Sequence, residues 1–121
     1  MPSEKPLLRL EDIIKNAEHI AEYIGGMGEV AFCKGHKTIN AVERCIERIC
    51  EATKKLGYDI KLRIGDYAWL DISDMGNRLR HEYDKVALSV VWRTASAEIP
   101  LLAADCMRVL EEMRSAQNAT D

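Results

Sequence analysis

Aromatic side chains are scarce in this chain: they make up 6% of 121 residues, with one phenylalanine and two tryptophans. Alternating runs of β-branched and polar residues are missing too, which argues against a β-sandwich or barrel. No stretch approaches 18 consecutive apolar residues, so no transmembrane helix is expected. The opening "MPSEKPLLRLEDII" has no long apolar run ahead of a small-residue cleavage site, which points to a cytoplasmic protein with no membrane partner. Four cysteines are present, but no Cys-x-x-Cys and no histidine at metal-finger spacing. Cys45 and Cys50 fall about 140° apart on helical geometry, too far round for a shared ligand set. They read as reduced, buried small hydrophobes, and neither a metal nor a cofactor is expected. Basic charge is not in excess either. Seventeen Lys and Arg face 20 Asp and Glu, for a net charge of −3. No global field draws nucleic acid, and DNA is not an expected partner; a local basic groove remains compatible with RNA.

What is present suits helices. Apolar residues reach 47% and charged residues 31%, and Leu, Ile, Ala, Glu, Lys and Arg dominate. Leu10, Ile13, Ile14, Ala17, Ile20, Ala21 and Ile24 recur at three-to-four spacing and predict a helix over about 6–24, stopped by "GGMG". A short element, "EVAFCK", follows, with Phe32 as its anchor. Ile39, Val42, Ile46, Ile49, Thr53 and Leu56 then repeat at 3, 4, 3, 4, 3, a seam made for another helix, with Thr38 as N-cap and Gly57 as stop. Residues 58–66 read as a connection with one helical turn near 61–64.

The next helix is expected over about 67–83, with Trp69, Ile72, Met75, Leu79, Tyr83 and Val86 as its apolar stripe. A last helical region runs from about 88 to 114, and Pro100 should kink or split it. The tail "SAQNATD" is polar and expected to fray. No repeat or linker interrupts the chain. The fold expected is all-α: one domain over 1–121, an antiparallel bundle of four to five main helices.

Within the 67–83 helix, "MGNRLRHEYDKV" gathers Asn77, Arg78, Arg80, His81 and Tyr83 within seven positions. With Leu79 at the centre of the buried stripe, Asn77 and His81 point about 160° and 200° round the axis, one above the other, with Arg78 beside them. Arg80 points well away from His81. Two readings stand on the residues alone. One is a solvated face tied by Asp74–Arg78 and Arg80–Asp84 pairs at i,i+4. The other is RNA cleavage without a metal. Histidine suits removal of a ribose 2′-hydroxyl proton, and arginine and asparagine suit the phosphate oxygens that gain charge. Tyrosine suits base stacking or donation to phosphate. Gly76, inside the same helix, costs about 0.5–1 kcal/mol relative to alanine.

"NRLRHEYDKV" followed by "VVWRTASAEIPLL" resembles the HepT-like branch of the HEPN superfamily. "LEDIIKNAEHIAEYIGGMG", the Phe32 element and "AVERCIERICEATKKL" resemble that family's other helices in the same order, so the resemblance spans nearly the whole chain. Its diagnostic part is an Arg-x4-His-x-Tyr signature between two tryptophans, which here are Trp69 and Trp92. The resemblance implies a HEPN-like bundle that dimerises through the signature helix. It implies an endoribonuclease toxin, paired with a nucleotidyltransferase antitoxin that in some members attaches AMP to the signature tyrosine. Carried over, His81 matches the catalytic histidine and Tyr83 the modified tyrosine; Asn77 and Arg78 match polar residues between signature Arg and His. The signature arginine falls at position 76, which is glycine here. Arg78 is the better substitute, being three residues from His81, with Arg80 the other candidate. The alternative is a degenerate HEPN module that dimerises and binds a nucleotidyltransferase without cutting RNA.

Overall fold

A computed structural model describes residues 5–120, the side chains of Tyr83 and Thr120 excepted. The chain is all-α, with no strand among the described residues. In order the helices are α1 (Pro6–Ile24), α2 (Glu29–Lys34), α3 (His36–Lys55), α4 (Tyr58–Ile64), α5 (Trp69–His81), α6 (Leu88–Arg93) and α7 (Ile99–Thr120). A 3-10 turn (Tyr83–Lys85) follows α5, and a π turn (Thr94–Glu98) joins α6 to α7.

The long helices make the frame. α1 packs against α3 and α7, α3 also carries α5, and α4 lies on α7. The predicted seam of α3 is buried along its length: Ile39, Val42, Ile46, Ile49, Thr53 and Leu56 are each at most 6% exposed. They meet Leu10, Ile13 and Ile20 of α1, with Phe32, Val91, Leu102, Cys106 and Val109 in the same core. Phe32 anchors the short α2 as expected, its ring 5.3 Å from that of Trp92 on α6. Ala21, expected on the buried stripe of α1, is exposed: it points about 100° round the helix from Ile20, while Ile20 and Ile24 keep the face against the core. Gly26, in the turn after α1, has φ +80, a conformation that any side chain would strain.

Several boundaries differ from the periodic reading. Thr38 does not cap α3, which starts two residues earlier at His36 behind Gly35. The expected connection after Gly57 is mostly helix: α4 buries Ile60 and Ile64, an apolar pair that nine residues of polar-looking sequence conceal. α7 passes the expected end at Arg114 and runs to Thr120, and Arg114 is tied to Glu11 of α1 at 2.7 Å.

Pro100 acts as anticipated, though through a π turn rather than a sharp break. It lacks an N–H, and its ring would crowd the carbonyl four residues back, Ser96. The helix widens ahead of it, so the Ile99 N–H reaches Thr94 O, and α7 starts with Pro100 in its first turn. Thr94 and Ser96 hydroxyls donate back to Val90 O and Trp92 O at 2.8 and 2.7 Å.

All four cysteines are free. Burial pushes the Cys50 thiol up to about 11 and the Cys106 thiol to about 12, and raises Cys45 too, so these sulfurs stay protonated and inert. A maleimide at neutral pH is therefore expected to modify only the half-buried Cys33 in the native protein. The other three should react after unfolding. Peptide mass spectrometry reads the result, and prompt native labelling of Cys50 or Cys106 would contradict this packing.

Candidate functional site

α5 begins at Trp69 rather than Tyr67. Gly65 takes φ +150, where a side chain is strained and a Cβ would lie 3.2 Å from the Tyr67 ring. Tyr67 then donates its hydroxyl to Asp105 on α7 and packs its ring 5.4 Å from Trp69, which fixes how the chain enters α5. Both tryptophans pack against other rings, Trp69 on Tyr67 and Trp92 on Phe32.

The helix ends at His81, two residues short of Tyr83. Glu82 leaves helical geometry (φ −140, ψ 40) while its N–H still closes on Arg78 O at 2.7 Å. The last turn therefore holds Arg78, Arg80 and His81 where the helix dipole favours positive charge. Tyr83 starts the 3-10 turn instead of continuing the stripe of α5, and its side chain lies outside the described residues. The expected Arg80–Asp84 pair is not made among the described residues: the helix ends between the two, and Arg80 reaches Glu47 and Glu51 on α3 instead. Among the described residues Asp74 and Arg78 do not pair either. The predicted surface ladder along α5 is thus absent.

Asn77, Arg78, Arg80 and His81 are all exposed, and Leu79 is buried, as the periodicity required. Among the described residues, the Arg78 guanidinium and His81 imidazole have no hydrogen-bond or ion-pair partner. Arg80 is engaged with α3 instead. Its Nε lies 3.8 Å from Glu47 and its terminal nitrogen 3.5 Å from Glu51. Glu51 also approaches Lys54 at 4.0 Å, and Lys54 Nζ donates to Asn77 Oδ1 at 2.8 Å. A polar strap, Glu47–Arg80–Glu51–Lys54–Asn77, therefore binds the end of α5 to α3. Exposed pairs of this kind contribute no more than about 1 kcal/mol each, so the strap sets orientation more than stability. Its α3 half escaped the sequence reading. The signal was there: Glu47, Glu51 and Lys54 repeat at 4 and 3 beside the apolar seam, the flanking row of a helix pair.

Gly76 explains how α5 comes so near. The glycine is buried, and a Cβ built on it would lie 2.6 Å from Cys50 Cβ on α3. Real Cβ atoms do not approach so closely, and neither Cβ sits at the end of a flexible chain. The position where the resemblance puts an arginine is thus a helix-crossing point with no room for any side chain. What looked like a tolerated flaw in a helix is the contact that seats it.

A cleft of about 300 Å³ lies elsewhere, between α3, α5, the π turn and α7, with Ile49, Ile72, Met75, Val90 and Leu102 in its wall. None of Asn77, Arg78, Arg80 or His81 lines it. The chemistry and this cavity are separate, and the site is an exposed helix end rather than a pocket.

The all-α bundle is consistent with a HEPN-type protein. The family model for HepT-like ribonucleases matches residues 13–109, and the chain belongs to that family. Among similar proteins, "Probable ribonuclease HepT" of Thermococcus cleftensis is 34% identical over 93 residues, covering 77% of this chain and 84% of that one. Several others bear names that begin "Putative RNase". The one from Caldanaerobacter subterraneus subsp. tengcongensis is 30% identical over 103 residues, or 85% of this chain and 92% of its own. One from Methanocaldococcus jannaschii is 28% identical over 113 residues, or 93% of each chain. No solved structure matches the chain. Among the described residues, no helix is long and apolar enough to cross a membrane.

The crossing point can be tested by mutation. Gly76→Ala gains up to about 1 kcal/mol of helix propensity but overpacks the interface at a cost of about 1–3 kcal/mol, so net destabilisation is expected in urea unfolding. Gly76→Arg should lose more. Adding Cys50→Gly should make the double variant lose less than the two single losses summed. Strict additivity would show that the contact is not made.

Proposed function

We propose that the chain is an endoribonuclease that cleaves RNA without a metal ion, with His81 as the acid/base and Arg78 and Asn77 holding the scissile phosphate. The observation that carries this reading is His81 standing exposed on the last turn of α5, one turn from Asn77 and three residues from Arg78, in a HepT-like ribonuclease family member. His81 takes the proton of a ribose 2′-hydroxyl, and the 2′-oxygen bonds to the adjacent phosphorus as the bond from phosphorus to the 5′-oxygen breaks. The leaving 5′-oxygen takes a proton from an imidazolium, so the products are a 2′,3′-cyclic phosphate and a 5′-hydroxyl. The Arg78 guanidinium and Asn77 amide meet the charge growing on the phosphate oxygens. Arg80 has a lesser part, because Glu47 and Glu51 already neutralise it.

One α5 offers a small, open site, so the working unit is a homodimer in which two such helix ends face one RNA strand. Leu70, 85% exposed at the start of α5, and the nearby apolar cleft support a face that a second copy covers. The family also supports a toxin held by a nucleotidyltransferase antitoxin. Attachment of AMP to Tyr83, just past His81, would put a phosphate beside the site and repel RNA. A second reading, a HEPN module that binds its partner but does not cut, is favoured by the buried Gly76, which denies the signature arginine its place.

Incubating the purified protein with single-stranded RNA in the presence of a chelator separates the two. Cleavage to cyclic-phosphate ends is expected, and His81→Ala should slow it by about 100-fold or more. An inactive wild type, or a fully active His81→Ala, would sink the enzyme reading. Co-expression with a neighbouring nucleotidyltransferase is expected to add one AMP to the Tyr83 peptide. An unmodified tyrosine beside an inhibited toxin would remove that part alone.

A further inference from the structure

The ribonuclease reading leaves the site short of one cation where position 76 is glycine. α3 supplies one from a different direction. Lys54 is exposed, and its Nζ donates to Asn77 Oδ1 at 2.8 Å, bringing an ammonium to the side chain that stands next to Arg78 in the chain and one helical turn from His81. We propose that Lys54 is a phosphate-binding residue of this site and also the residue that orients Asn77 for the RNA. The inference rests on the reading of His81 and its neighbours as an RNA-cleaving site.

Two features carry it. An ammonium has only donors, so Lys54 fixes which end of the Asn77 amide faces α3: the oxygen. The amide nitrogen, with its two N–H groups, is left to the solvent side. Asn77 is thereby held as a donor, the form that an anionic phosphate oxygen needs. Without Lys54 the amide can turn either way. Second, the Lys54 ammonium has three protons and spends one on Asn77. Its nearest carboxylate, Glu51, is 4.0 Å away, too far for a tight bond, and is itself shared with Arg80 at 3.5 Å. Glu51 is thus a competitor for both cations rather than an exclusive partner of Lys54. RNA phosphate arriving at Asn77 meets a cation with donors to give.

Competition by Glu51 supplies a test with opposite signs. Binding of a short, fluorescent single-stranded RNA is measured against salt for the full-length protein, with cleavage rates followed in parallel. Lys54→Gln should weaken binding about tenfold and flatten the salt dependence by the share of one phosphate contact, a slope change of about 0.7. Lys54→Arg should restore most of both. Glu51→Gln should tighten binding, because it releases Lys54 and Arg80 from their shared carboxylate. If the strap merely braced the helices, Lys54→Gln and Glu51→Gln would both weaken binding and the salt slope would stay put, which overturns the proposal. Unchanged binding in Lys54→Gln overturns it as well, while leaving His81 chemistry intact. A wild type that neither binds nor cuts RNA overturns this inference together with the reading beneath it. Thermal melts of each variant show that the fold is kept, as an exposed side chain at Lys54 leads one to expect.

Discussion

The close crossing of α5 over α3 at Gly76 and Cys50 is the contact on which the rest of the site depends. A helix normally stands off its neighbour by the thickness of two side chains. Here one side of that thickness is absent, and a single added carbon would come within 2.6 Å of another. Bringing the axes together lets short polar reaches succeed: Lys54 touches Asn77, and Arg80 spans to Glu47 and Glu51. Move α5 outward by the width of a methyl group and each of those contacts lengthens. The glycine therefore has two consequences of opposite kind for function. It removes the arginine that the family signature places there, and it draws a lysine from another helix into reach of the same face.

Charge follows the same geometry. The chain is acidic overall, at −3, yet its cations are not uniformly spent. On α5, Arg80 leans onto α3 and is balanced by two glutamates, while Arg78 and His81 point away with no partner among the described residues. The separation follows from helical rotation: Arg80 lies next to the buried Leu79 on the side that faces α3, and Arg78 on the side that does not. Two arginines two residues apart thus take different work. One is tied to α3, and the other has no partner among the described residues. The last-turn position of all three basic groups also suits the negative end of the helix dipole, so the cluster costs the fold little.

Much of this architecture was legible in the sequence. The 3-4 seam of α3 and the inward faces of α1 and α5 marked the core, because burial of apolar area is the largest favourable term and leaves a periodic trace. The family signature marked Asn77, Arg78 and His81, and helical angles put them on the exposed side where they stand. The role of Gly76 could not be read, since a clearance between two Cβ atoms depends on how two helices cross and not on either sequence alone. Lys54 stayed hidden for the same reason: it sits 23 residues before Asn77, and only the α3–α5 packing makes them neighbours. The early end of α5 at His81 was invisible to periodicity because Val86 continues the apolar pattern while the backbone between has already turned. Local i,i+4 pairing was the natural expectation for the charges of α5, and contacts across helices displaced it.

On the proposed function, RNA meets this protein on the exposed end of α5 and the adjoining edge of α3. Backbone amide shifts of the isotope-labelled His81→Ala protein, followed by NMR as a short single-stranded RNA is added, test it directly without turnover. Shifts are expected to cluster at Lys54, Asn77, Arg78 and the first residues beyond position 81, and to spare the cleft walled by Ile49 and Leu102. Shifts gathered around that cleft, or spread over α1 and α7 with the end of α5 silent, would contradict it.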